Sequence, residues 1–527
     1  MDIDIEKNWN IKPDKVEEFK GLNPYSDEEK CIINDSYFLK SMPKEKLEQK
    51  EKEREVLNKL NQNNIPVQVC EGNKTVVDGD KIYQLFKFVK GNSGTINYEK
   101  NSAIFLAQEL SKLSKLPRDA KKESVQDVLE ELKDELEEKI PEEYRNDLSI
   151  TYNYLNKNLF PYLKYFDYKI SHGDLHPGNI LWKDDKVASI IDWQLFGLRE
   201  ELYDLAFLLG CIGIEEPDNF DSKWVNELIE NFVEHAKPSK LAFSLLPELM
   251  IATRLNWLHK WVIIQDDKEI IEMEITLINI IITAANDIRE KWLSYSNSDF
   301  KFSESNWIMQ DAMMVEDIKK AKQKFVGFDY AKKHNDYPNQ EELAATLRLF
   351  AIDYGMNNDI LSVLKTLDVL KKVYNNNMDN QFILIELVIA MGNSCLDFSK
   401  FRMVNAIDYT YVAIKEIISK NKNIDELNIG YAFSLRNASI AFAEVKDFDK
   451  FIDSLDELIK LTKKHSDNIE IQGELARALS NAITTILSNK LDMDHMKYFN
   501  MLEEIYNKHK SRKINGAYQV AKVNLKK

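Results

Sequence analysis

In the last part of the chain, four segments align without a gap at a spacing of 44 residues: 368–374, 412–418, 456–462 and 500–506. Leu370, Ile414, Leu458 and Leu502 form one apolar column, and Val373, Ile417, Leu461 and Ile505 form a second, three residues further on. Two columns three residues apart lie on one face of an α-helix. A second ladder, Asn393, Asn437 and Asn481, recurs at the same interval, with Gly430, Gly473 and Gly516 opening three of the matching segments. A helical hairpin cannot bury its apolar face alone, so such repeats must stack on one another. Residues 341–527 are therefore expected to form an all-α helical-repeat solenoid.

The rest of the chain has a different texture. Cys31-Ile-Ile, Asn34-Asp35 and Tyr37 to Lys40 read as one β-hairpin, and Thr75-Val-Val, Asp78-Gly79 and the run from Lys81 to Val89 as another. Between them, residues 44–60 are rich in Glu and Lys, with Leu47, Val56, Leu57 and Leu60 as the apolar positions of an expected helix. From Ser102 to about Leu293 the apolar spacing is helical, apart from residues 171–193. Charge and composition narrow the function classes. A net charge of −16, from 71 basic and 87 acidic residues, opposes a nucleic-acid partner. The mainly apolar run 275–285 is about half the ~20 residues of a spanning helix, and the start of the chain lacks a signal-peptide order, so no membrane partner and a cytoplasmic location are expected. Four scattered cysteines, Cys31, Cys70, Cys211 and Cys395, read as buried thiols rather than as disulfides or a zinc site.

The interruption reads Ser171-His-Gly-Asp-Leu-His-Pro-Gly-Asn-Ile-Leu-Trp182, followed by Ile191-Asp192-Trp193. Strands 180–182 and 187–191 about the polar turn 183–186 would bring Asn179 and Asp192 to the same open end. Asp174, in a Gly- and Pro-containing loop five residues before Asn179, would lie beside them. Two carboxylates and an amide oxygen suit Mg²⁺ with phosphate better than zinc.

The motif H-G-D-L-H-P-G-N-I-L followed by I-D-W resembles the catalytic loop and metal-binding strand of the aminoglycoside phosphotransferase and choline kinase-like family, relatives of the protein kinases. Tyr203-Asp-Leu-Ala206 and Leu106 to Leu113 resemble two helices of its larger lobe. The resemblance implies an α+β fold in which a two-lobed protein-kinase-like domain precedes the solenoid. Its expected parts are a smaller lobe over 1–90, a larger lobe over 91–298 and a helical linker over 299–340; the repeats are similar to tetratricopeptide arrays with longer helices. It further implies roles for individual residues. Asp174 would be the catalytic aspartate that accepts the proton of the substrate hydroxyl, and Asn179 and Asp192 would hold Mg²⁺ on the phosphates of ATP. Lys40, at the end of its strand, would hold the α- and β-phosphates with Glu55 as its ion-pair partner; Glu53 is the competing partner. The backbone around Phe86 and Phe88 would meet the adenine. The phosphate-covering loop would be Gly21 to Glu28, which has one glycine where protein kinases have several. His172 would buttress the Asp174 loop and His176 would be structural.

The expected activity is ATP- and Mg²⁺-dependent phosphoryl transfer to a hydroxyl of a small molecule such as an aminoglycoside, amino alcohol or sugar. One alternative is a kinase for Ser or Thr of a peptide or protein held by the repeats; another is a nucleotide-sensing scaffold without catalysis. Trp257, Trp261 and Trp292 are read either as core or as lining of an acceptor pocket.

Overall fold

In a computed structural model the described residues are 3–19, 28–92, 96–98, 101–114, 116, 120–264, 268–295, 312–421, 424–509 and 511–526. The fold is α+β: a kinase-like domain built on a small sheet and helices, followed by a long all-helical region. The chain divides into two compact units. One comprises Met1–Leu163, Tyr168–Pro238 and Ala242–Asn297; the other comprises Lys164–Asp167, Ser239–Leu241 and Ser298–Lys527.

In the first unit a short helix, α1 (Ile5–Trp9), precedes β1 (Val16–Glu18), β2 (Glu29–Ile33), β3 (Tyr37–Pro43), α2 (Leu47–Gln62), β4 (Val76–Asp78) and β5 (Lys81–Lys87). The five strands form one antiparallel sheet in the order β1-β2-β3-β5-β4. Both hairpins read from the sequence are present. Asn34 and Asp35 take left-handed backbone angles, φ 52° and 51°, as a two-residue turn between twisted strands requires, and Gly79 does so at φ 57°. One face of the sheet buries Cys31, Ile33, Leu39, Tyr83 and Leu85 against Ile3 and Ile5. That cover by α1, like β1 itself, was not foreseen. On the other face, Gln84 Nε2 donates to the carbonyl of Lys50 at 3.3 Å, which ties α2 to the sheet.

The chain continues through α3 (Ser102–Leu113), α4 (Val125–Lys139), α5 (Arg145–Asn158) and α6 (Phe160–Leu163) to two small antiparallel ribbons. Strand β6 (Tyr168–Ser171) pairs with β9 (Gly197–Glu200), and β7 (Ile180–Lys183) with β8 (Lys186–Ile190). Helices α7 (Tyr203–Glu215), α8 (Lys223–Ala236), α9 (Lys240–Ser244), α10 (Leu246–Ile264) and α11 (Lys268–Ser294) follow. Most of α7 and α10 is buried on every side, which marks them as central helices rather than as a surface layer.

The second unit holds α12 (Ala312–Lys324), α13 (Tyr330–Lys333), α14 (Gln340–Met356), α15 (Ile360–Asn375), α16 (Gln381–Lys400), α17 (Val404–Lys420), α18 (Asp425–Glu444), α19 (Phe448–Lys464), α20 (Ile469–Asn489), α21 (His495–Lys508) and α22 (Arg512–Asn524). The described part of the stretch expected as a linker carries α12 and α13, and Phe325 packs on Tyr337 and Phe350 with ring centroids 4.8 and 6.1 Å apart. The four aligned segments fall on α15, α17, α19 and α21. Leu370, Ile414, Leu458 and Leu502 are all buried, whereas Ile417 and Leu461 of the second column are half-buried. The interval is also written in the backbone: Asn358, Arg402, Lys446 and Lys490, each 44 residues after the last, have φ of 62°, 58°, 62° and 52°. Each left-handed residue stops one helix of a pair. Asp359 and Asp447 cap α15 and α19, which follow two of these stops, and Asn380 and Asn468 cap the partner helices α16 and α20, each side chain accepting from first-turn N–H groups. The Asn ladder is partly bonded: Asn437 Nδ2 donates to Asn393 Oδ1 at 3.3 Å, and Arg436 donates to Asn437 Oδ1. Helix α16 is long and apolar enough to cross a membrane by length and composition, which the sequence reading did not bring out; 67% of its most apolar window is buried within the protein. All four cysteines are buried and none is in a disulfide.

Candidate active site

Strand alternation determines what the small lobe offers a ligand. Leu39 enters the core, so Phe38 and Lys40 point to the opposite face, and Lys40 Nζ lies 5.7 Å from the centroid of the Phe86 ring. Lys40 stands in the middle of β3, opposite Lys30 and Gln84, not at the strand end expected from sequence. Its expected partner also needs correction. The buried residues of α2 are Lys50, Glu53, Leu57 and Leu60, whose spacing defines one helical face. Glu55, two residues from Glu53 and therefore about 200° around the helix, is exposed. Glu53 is the carboxylate turned inward, and its ion pair is with Lys50 at 2.9 Å. Lys50 also meets Glu28 at 3.1 Å, and Glu28 meets Lys30 at 3.3 Å.

These charges set one another's ionisation. Burial alone would raise the Glu28 carboxyl, but Lys40, Lys50 and Lys30 outweigh it and bring it down to about 2. Burial likewise disfavours the Lys50 ammonium, yet Glu53 and Glu28 hold it above the ordinary lysine range. Removing the ammonium would leave buried Glu53 without its ion-pair partner and Glu28 with only its pair to Lys30. Lys50→Met is therefore expected to destabilise the protein by about 3–5 kcal/mol, measured by urea unfolding. The sign with pH follows from the lowered Glu28 value: its contribution is complete above the ordinary 4.5 and is lost as pH falls through about 2. The variant should accordingly unfold in acid at a higher pH than the parent.

The residues expected at the adenine are also repositioned. Phe86 belongs to β5, pairs with Phe38 and is bridged on its other side by Cys70. The Phe88 N–H donates to the carbonyl of Ser36 at 2.8 Å. Phe86 thus offers a buried ring rather than free backbone groups. The connection out of the sheet is 88–91, anchored where Asn92 and Trp182 exchange backbone hydrogen bonds of 2.9 and 2.8 Å. Of the expected phosphate-covering loop, only Glu28 is among the described residues.

The large lobe brings its expected residues together. Pairing of Ile180 with Ile190 carries Asn179 and Asp192 to one end of the β7–β8 ribbon, where the Ile191 N–H donates to the Asn179 carbonyl at 3.0 Å. Asn179 Nδ2 donates to the Asp174 carbonyl at 2.9 Å, which spends its amide N–H and leaves its amide oxygen for another partner. His172 joins the two strands of chain: Nε2 donates to the Ile191 carbonyl at 2.8 Å, and Nδ1 accepts from the Asp174 N–H at 3.2 Å. Those bonds assign the tautomer. His176 Nδ1 accepts from the Gly178 N–H at 3.1 Å, closing the turn at Pro177–Asn179. Burial pushes the His176 imidazole down, against the raising effect of Asp174, so it is a neutral structural group.

Beneath the loop lies a residue whose role the sequence did not disclose. Asp204, on the first turn of α7, accepts from Ser171 Oγ at 2.6 Å, the His172 N–H at 2.7 Å and the Gly173 N–H at 3.0 Å. Gly173 has φ 84°, and a Cβ there would lie 2.3 Å from the Leu195 carbonyl oxygen, so only glycine fits. So fixed, Asp174 keeps its Oδ1 buried with no hydrogen-bond partner among the described residues. A buried, unsatisfied carboxylate oxygen is costly and points to a missing donor. The donor set beside it, the Asp192 carboxylate and the Asn179 amide oxygen, is hard and fits Mg²⁺. Among the described residues no group of three or more His, Cys, Asp or Glu side chains is arranged for a metal, so such an ion would depend on phosphate oxygens and water to complete its shell.

The three tryptophans separate. Trp292 is buried against Phe220. Trp261 Nε1 donates at 3.2 Å to Glu274, the carboxylate that holds buried Arg254 through Nε at 2.8 Å. Trp257 is half-buried, and Lys260 Nζ stands 4.2 Å from its ring centroid. Lys260 was not anticipated. Burial lowers its pKa, opposed chiefly by the Asp174 carboxylate.

Residues 25–239 match the family model described as "Phosphotransferase enzyme family". The resemblance read from the motif is thus borne out for this part of the chain. No curated protein matches the sequence. Among solved structures, the GDP complex of wild-type aminoglycoside 2'-phosphotransferase-IIIa is similar at 15% identity, covering 53% of this chain and 96% of that one, with a TM-score of 0.40. A choline/ethanolamine kinase family protein from Mesorhizobium loti is similar at 13% identity, covering 56% and 96%, with a TM-score of 0.42. Spectinomycin phosphotransferase, in complex with ADP and spectinomycin, is similar at 13% identity, covering 54% and 96%, with a TM-score of 0.40.

Proposed function

We propose that the first unit, which carries the phosphotransferase-family segment, transfers the γ-phosphoryl group of ATP directly to a hydroxyl of a small molecule. The observation that carries this reading is the buried, unpartnered Asp174 Oδ1 on a loop tied to Asn179 and Asp192. Asp174 would orient the acceptor hydroxyl and take its proton as the acceptor oxygen bonds to phosphorus and the bond to the β-phosphate oxygen breaks. His172 and Asn179 hold the Asp174 backbone in place, by the Asp174 N–H and carbonyl respectively. Lys40 would neutralise phosphate charge, and Lys50 pairs with Glu53 and Glu28. Asp192 and the Asn179 oxygen would hold Mg²⁺, which when bound compensates charge on the phosphate oxygens. The backbone of 88–91 is the part of the lobe connection proposed to meet the adenine.

The test is an acceptor screen. The full chain is incubated with ATP, Mg²⁺ and a library of hydroxylated metabolites, and products are read by mass spectrometry for the gain of one phosphate. Transfer to a member of the library, absent with Asp174→Ala, is the expected result. Nucleotide binding with no transfer to any acceptor, water included, would replace this reading with that of a nucleotide-sensing scaffold.

A further inference from the structure

Cys31 and Ile33 of β2 enter the core of the small lobe, so Lys30 projects from the other face of the sheet, the one that carries Lys40. The register sets Lys30 directly opposite Lys40, and like charges in that position repel one another. An anion lying against the pair removes the penalty. In the structure that anion is Glu28, whose carboxylate is 3.3 Å from Lys30 and 3.1 Å from Lys50. Lys40 attracts the same carboxylate but makes no ion pair with a described residue, its contact being the Phe86 ring. Glu53 does not serve the two strand lysines, because its Oε2 lies 2.9 Å from Lys50. The ammonium groups of Lys30, Lys40 and Lys50 therefore outnumber the carboxylates of Glu28 and Glu53. A nucleotide's phosphates bring more negative charge and more acceptor oxygens than one carboxylate, and would hold both strand lysines at once. The Lys30 and Glu28 side chains keep 20% and 10% exposure, so Lys30 can change partner without repacking of the core.

We infer that Lys30 is a second phosphate-binding residue for the nucleotide beside Lys40, and that Glu28 holds its ammonium until phosphate oxygens take the place of that carboxylate. This inference rests on the proposed phosphotransferase reading and adds a residue to its nucleotide site. Exchange leaves no stranded charge: Lys30 passes to phosphate, while Glu28 keeps its pair with Lys50. Glu28 then stands as an anion close to the phosphates, and its competition for Lys30 lowers the affinity for nucleotide.

The experiment is isothermal titration of the full chain with ATP and Mg²⁺ and, in parallel, with adenosine, which has the base and sugar but no phosphate. Lys30→Met is expected to weaken ATP roughly tenfold, the loss of one charge-assisted hydrogen bond, and to leave adenosine unchanged. Lys30→Arg should bind ATP close to the parent's affinity. Glu28→Gln carries the opposite sign: ATP should bind roughly threefold more tightly once the competing anion is gone, with adenosine again unchanged. A salt bridge that merely braced β2 would instead make both substitutions neutral for ATP, or harmful to ATP and adenosine alike. Glu28→Gln, which keeps Lys50 paired with Glu53, decides the matter if Lys30→Met does not fold. Unaltered ATP affinity in folded Lys30→Met, unaltered or weakened ATP affinity in Glu28→Gln, or equal losses for ATP and adenosine overturn the inference and leave the phosphotransferase reading intact. A parent protein that binds no ATP overturns both.

Discussion

Asp174→Ala will lower phosphoryl transfer by roughly 10²–10⁴ while leaving nucleotide affinity close to that of the parent, because a positioned general base is worth about that much. The prediction has a second side. Asp174 Oδ1 is buried with no partner among the described residues, so the carboxylate is a burden on stability rather than a support. Asp174→Ala should unfold at the parent's denaturant concentration or slightly above it, the usual trade between an active site and its stability. Asp192→Ala should behave differently, weakening the binding of nucleotide in the presence of Mg²⁺ as well as slowing transfer. Isothermal titration with ATP, with and without Mg²⁺, separates the two. Equal loss of nucleotide affinity in both variants would contradict the division of roles between these carboxylates.

The parts of this site that were legible from sequence are those fixed by local rules. A short polar turn between two β-rich runs dictated the β7–β8 pairing, and that pairing alone sets Asn179 beside Ile191 and Asp192. The repeat was legible for the same reason, since its period is a property of the chain. Its turn chemistry was not: the left-handed positions are Asn358, Arg402, Lys446 and Lys490, with no glycine to announce them. Glu55 was chosen over Glu53 although the phase of α2 was available. Extending the Leu57 and Leu60 face backwards by four and seven residues reaches Glu53 and Lys50, and charge at those positions disguised a buried face.

Asp204→Ala should produce the opposite signature from Asp174→Ala, a loss of both stability and transfer. Two oxygens of this buried carboxylate accept from Ser171 Oγ and from the N–H groups of His172 and Gly173. Deleting them leaves two backbone donors and a hydroxyl in a place with little room for water, at about 1–3 kcal/mol for each group left unsatisfied. A loss of roughly 3–9 kcal/mol is a large share of the 5–15 kcal/mol that holds a domain folded, and urea unfolding should report it directly. The chemical consequence follows from the same bonds. Gly173 is held at φ 84° against the Leu195 carbonyl, and the residue it aims is Asp174. Once the two N–H groups are released, the Asp174 carboxylate no longer has a fixed direction, and misplacement by about 1 Å costs on the order of 10² in rate. Asp204→Asn keeps one accepting oxygen but turns an NH₂ group toward a donor, so it should fall between the parent and Asp204→Ala in both measurements. An Asp204→Ala protein that unfolds at the parent's urea concentration and transfers phosphate at the parent's rate would show that the loop is held by something other than this carboxylate.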